Sequence, residues 1–180
     1  PDRIVSVSRD GEPPLDTAWR EEVEPPADNN AGIANTFTMA VWVKPDAETI
    51  LPPEANSGVV GLGDDRNDAL YPPPGHEVYP EENHAGCGLS VGRNGVCVFE
   101  HSADYFAPVL VHAAPLTGWT HVVVVYRDGQ PSLYLNGRLA HSGLRSTFAV
   151  HPGVGVRHGR GVTPFKGDLG GFRQFDRALA

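Results

Sequence analysis

The stretch GWTHVVVVYRDGQPSLYLNGRLAHS, residues Gly118–Ser142, carries the fold signal of this chain. Gly118–Tyr126 is rich in β-branched residues and apolar at odd and even positions alike, which is the pattern of a strand covered on both faces. Arg127-Asp128-Gly129-Gln130 turns the chain, and Ser132–Leu135 brings it back. Asn136-Gly137 suits the positive φ angles of a second tight turn, which leads into Arg138–Ser142. Within the returning strand Leu133 and Leu135 share one face and Tyr134 takes the other, because successive side chains alternate.

The same signals recur outward from this centre. Phe37–Lys44 (FTMAVWVK) is a strand stopped by Pro45, with Phe37, Met39, Val41 and Val43 on one apolar face and Trp42 opposite. Trp42 and Trp119 are expected to fill a core. Further strands are expected at Ser57–Leu62, Ala107–His112, Val154–His158 and Leu169–Phe175, with an edge strand at Arg3–Ser8. Leu15–Val23 is the one stretch with helical character. Gly88–His101 reads as a hairpin turning at Asn94-Gly95, in which residue i faces residue 189 − i. That register puts Cys87 and Cys97 about five residues out of step, roughly 16 Å. A disulfide needs Cα atoms within about 7 Å, so none is expected. Twenty-one glycines and 17 prolines are spread along the whole chain and punctuate short elements. The expected fold is all-β, a two-sheet antiparallel β-sandwich.

The 180 residues suit one domain, and because the chain opens on Pro1 it is expected to be a single domain, residues 1–180, of a longer polypeptide. The net charge of −8 and the absence of a Lys/Arg cluster speak against nucleic acid. The longest apolar run, Val122–Tyr126, is too short for a membrane-spanning helix.

Three segments resemble the bacterial laminin-G-like domain of the concanavalin A-like lectin/glucanase superfamily, a jelly-roll fold. FTMAVWVKP at Phe37–Pro45 is similar to its early strand. Gly118–Ser142 is similar to its hairpin pair. PFKGDLGGFRQFDRAL at Pro164–Leu179 is similar to its closing strand. Where that closing strand often carries an acidic pair, this chain has Leu169-Gly170-Gly171, so a calcium corner there would lack its side-chain ligand. The resemblance implies a non-catalytic, lectin-like accessory module. Its setting would be a secreted, periplasmic or cell-envelope protein, beside a neighbouring domain such as a carbohydrate-active enzyme. A structural domain packing on that neighbour is the alternative.

The chemistry-bearing residues agree with a binding role. Retaining glycosidases on related scaffolds align carboxyls about 5 Å apart on one strand, as Glu-x-Asp-x-x-Glu, and no such pattern occurs here. Glu21-Glu22-Val23-Glu24 has the wrong spacing, and neither Gly-x-Ser-x-Gly, nor His-Glu-x-x-His, nor a Walker loop is present. Gly63–Ala85 is the longest irregular stretch. Its Asp64, Asp65, Asn67 and Asp68 bunch hard oxygen donors suited to calcium. Glycan recognition needs aromatic platforms and planar polar side chains. Tyr71, Tyr79 and His84 from that stretch, with Glu100, His101, Tyr105 and Phe106 after the hairpin, are the candidates for a polysaccharide partner.

Overall fold

A computed structural model describes residues 32–60, 66–72, 83–155 and 165–180. Among the described residues eleven strands, numbered in chain order, make two sheets. The five-stranded sheet runs β11 (Gly167–Phe175), β1 (Phe37–Pro45), β6 (Thr120–Arg127), β7 (Gln130–Leu135), β8 (Arg138–Ser142), with each neighbour antiparallel. The six-stranded sheet runs β10 (Val154–Gly155), β2 (Asp68–Tyr71), β3 (His84–Gly92), β4 (Gly95–Ser102), β5 (Tyr105–Ala113), and β9 (Ala149–His151) lies parallel to β3. No helix among the described residues is long and apolar enough to cross a membrane.

The apolar character of β6 on both faces follows from its place between β1 and β7. Val122, Val124 and Tyr126 face inward onto Phe37, Met39, Val41, Val43 and Leu133, while Val123 and Val125 cluster with Ala40, Tyr134 and Ala178 on the outer side. From the other sheet, Cys87, Leu89, Val91, Val96, Val98 and Ala107 complete the core. Each such aliphatic side chain contributes about 1.5–3 kcal/mol on full burial. The two turns of the hairpin pair take the backbone that their residues favour, with φ of 50° and 77° at Asp128-Gly129 and 49° and 78° at Asn136-Gly137.

Several expectations are corrected. Arg3–Ser8 and Leu15–Val23 lie outside the described residues. In place of a strand at Ser57–Leu62, the described part makes one isolated bridge, Val59 to Phe106. The irregular stretch contains β2, and β3 begins at His84 within it. The hairpin turns at Arg93-Asn94, because Gly92 pairs with Gly95, Ser90 with Cys97 and Cys87 with Glu100. The reason is tertiary: the Asn94 carboxamide accepts from the Thr49 amide and donates to its carbonyl, both at 2.9 Å, which holds Asn94 out of the ladder. A side chain at Gly95 would also meet the His112 carbonyl at 2.3 Å. Cys97 faces Ser90, an odd number of residues from Cys87, so the two thiols sit on opposite faces of the sheet, buried and unbonded. Trp42 does not lie between the sheets. It is buried on the outer side of the five-stranded sheet, and Trp119 is half-buried in the segment before β6.

Candidate functional site

The outer face of the six-stranded sheet is polar and aromatic where strands β2 to β5 meet. On β3 the residues facing outward are His84, Gly86, Gly88 and Ser90, since Ala85, Cys87, Leu89 and Val91 fill the core. On β4 the outward residues are Cys97, Phe99 and His101. The glycines make room. A side chain on Gly88 would stand 2.1 Å from the Phe99 ring, so Phe99 lies flat on the bare backbone and is fully buried.

Phe99 is the floor of an aromatic cluster. Tyr71 and Phe106 meet it edge-on at 6.2 and 5.3 Å, and the Arg66 guanidinium sits 5.5 Å from the Phe99 ring and 5.1 Å from the Phe106 ring. The Arg66 Nε donates to the Asp68 carboxylate at 3.2 Å, and the Ser90 hydroxyl donates to the same carboxylate at 2.5 Å. The ion pair is almost wholly dry, with side-chain exposures of 6% and 0%. Above this floor, His101 stacks on Phe106 at 4.4 Å. Its Nδ1 is buried without a hydrogen-bond partner among the described residues. Burial, helped by the nearby Arg66 charge, pulls the His101 pKa down to about 4, so the ring is neutral at physiological pH. At the other end of the face, the His84 and His151 rings stack, with Nδ1 and Nε2 2.7 Å apart. Tyr71, His84, His101 and Phe106 remain half-buried.

Tyr71, His84 and His101 therefore share one face, as do Phe106 and the unforeseen Arg66, Ser90, Phe99 and His151. Glu100 and Tyr105 do not. Both point into the core, where the Glu100 carboxylate accepts from the hydroxyls of Tyr105 at 2.7 Å, Tyr126 at 2.9 Å and Ser146 at 2.6 Å. Burial pushes the Glu100 pKa up to about 7 against the three donors, which pull it down. Because Tyr126 belongs to the opposite sheet, this carboxylate fastens the two layers together. Tyr79 lies outside the described residues.

Of the calcium candidates, Asp64 and Asp65 also lie outside the described residues. Asn67 and Asp68 are engaged within the fold. The Asn67 amide donates to the Val91 carbonyl at 2.8 Å and its oxygen accepts from the Lys166 amide at 2.6 Å, while Asp68 holds Arg66 and Ser90. Among the described residues no three His, Cys, Asp or Glu side chains gather as a metal site would require.

Several known proteins resemble this chain. Domain 4 of an extracellular arabinanase from Geobacillus stearothermophilus, solved with arabinotriose, superposes with a TM-score of 0.47 at 18% identity, over 83% of this chain and 65% of that one. Trypanosoma rangeli sialidase gives a TM-score of 0.41 at 20% identity, over 81% of this chain and 21% of that one. Over 117 residues the chain is 26% identical to adhesion G-protein coupled receptor V1 of Danio rerio, a match of 63% of this chain and 2% of the receptor. The chain thus spans a small fraction of that receptor. A laminin-G-type family model matches residues 21–180. With the model covering nearly the whole sandwich, the chain belongs to the concanavalin A-like lectin/glucanase superfamily.

Proposed function

We propose that the domain is a glycan-binding module and that the outer face of the six-stranded sheet is where the glycan sits. The observation that carries this reading is the half-buried stack of His101 on Phe106, with a buried ring nitrogen beside it that has no partner among the described residues. Aromatic rings take the C–H faces of sugars, and a neutral imidazole nitrogen can bond a hydroxyl. Tyr71 and His84 extend the same face.

The module acts without catalysis. What supports this part is the placement of two carboxylates among the described residues: Asp68 is tied to Arg66 on the outer face, and Glu100 lies on the inner side of the same sheet. A glycosidase needs two carboxyls facing one bond across about 5–10 Å. The setting we assign is extracytoplasmic, within a longer polypeptide whose neighbouring domain acts on the same glycan.

Affinity electrophoresis of the 180-residue chain against plant, algal and host polysaccharides tests the reading. Retention by at least one polysaccharide is expected, and retention should be lost in Phe106→Ala. Free migration through every gel would contradict it, and would favour a domain that only packs against its neighbour.

A further inference from the structure

The chemistry of this face discriminates among glycans by charge. Resting on the glycan-binding reading, we propose that the outer face selects uncharged glycans and discriminates against those bearing carboxylates or sulfates. Arg66, a strong cation on the face, is already matched. Asp68 pairs with it at 3.2 Å, Ser90 donates to the same carboxylate, and the guanidinium lies against the rings of Phe99 and Phe106. An acidic sugar placed above Phe106 would feel the charge of the Asp68 carboxylate as well as that of the guanidinium, so it gains little net Coulomb attraction. It would still lose its own hydration.

The group left for the ligand favours a hydroxyl. His101 Nδ1 is buried and has no partner among the described residues, and the ring is held neutral. Depending on tautomer, that nitrogen either donates or accepts. A hydroxyl, which does both, satisfies either state. A carboxylate only accepts and satisfies one. His84 and His151 direct one nitrogen of each ring at the other, so that part of each imidazole is spent internally. The field of the whole chain acts in the same direction, since a net charge of −8 repels polyanions before contact.

The test is a glycan array probed with the intact chain at pH 8, carrying neutral pentosans, galactans, glucans and mannans beside uronate, sialylated and sulfated glycans. The strongest ligand is then compared by calorimetry with a partner differing in one carboxylate, made by oxidising a hydroxymethyl group or reducing a uronate. The neutral member should bind at least tenfold more tightly. Its affinity should change less than twofold between 50 and 500 mM NaCl, because no charge pairing is screened. Equal or tighter binding of the acidic member, or a steep loss of affinity with salt, overturns the charge selection and leaves glycan binding standing. An array with no bound glycan of either kind overturns the glycan reading itself, and the selection with it.

Discussion

Glu100 and His101 are consecutive residues of β4, yet the two faces of the sheet treat them in opposite ways. Glu100 points inward and finds three hydroxyl donors. His101 points outward and keeps a ring nitrogen with no partner among the described residues. Both are displaced from their ordinary pKa by the same cause, desolvation. The inner group is fully satisfied and ties the layers together. The outer one is left with bonding capacity to offer. The difference teaches that polar residues on a sheet are sorted by what meets them.

The comparison breaks most visibly at Glu100. Replacing it by Ala would strand the hydroxyls of Tyr105, Tyr126 and Ser146 in a dry core, at a cost of about 3–5 kcal/mol. Urea denaturation followed by tryptophan fluorescence should show the midpoint falling accordingly. A loss below about 1 kcal/mol would mean that the carboxylate does not fasten the sheets.

Glu100→Gln sharpens the same point through pH. The folded-state pKa of Glu100 is raised from 4.5 to about 7, so the folded protein binds the extra proton between those values. The stability this group contributes is present at acid pH and is lost as pH rises from 4.5 to 7. Relative to Glu100→Gln, the wild type should lose on the order of 3 kcal/mol across that window. His101 and His121 carry the opposite sign. Each is depressed from 6.5 to about 4, so each contributes stability above pH 6.5 that is lost as pH falls toward 4. The Gln variant should therefore become less stable on acidification more steeply than the wild type. Parallel pH profiles for the two proteins would refute the assignment.

Gly88→Ala probes the outer face. The added carbon would press on the Phe99 ring, and displacing that ring disturbs Tyr71, Phe106 and Arg66 together. Overpacking of this kind costs about 1–3 kcal/mol. Glycan affinity should fall with it. Unchanged melting temperature and unchanged retention on a bound polysaccharide would show that the ring does not form the floor of the site.

Much of the fold was legible because its signals are local. The Asn136-Gly137 turn, the alternation in Phe37–Val43 and the doubly apolar β6 all lie within a few residues of their cause. The hairpin register was not, because Asn94 is claimed by Thr49, which is 45 positions away in sequence. The site was half legible. Tyr71, His84 and His101 could be picked as residue types, but β4 is apolar on both sides, with Val96 and Val98 inside and Cys97 and Phe99 outside. Alternation alone therefore could not separate Glu100 from His101. Arg66 stands among the oxygen donors of Asp64–Asp68 in sequence, and its pairing with Asp68 over two aromatic rings depends on strands that meet only in the folded chain.

The division between the two faces of β4 is tested most directly by calorimetric titration of the preferred glycan into the wild type, His101→Ala and Glu100→Gln at pH 8. His101→Ala, still folded at the temperature of the titration, should bind at least tenfold more weakly, while Glu100→Gln should bind within twofold of the wild type. Full affinity in His101→Ala, with affinity lost in a folded Glu100→Gln, would place recognition elsewhere and contradict the account.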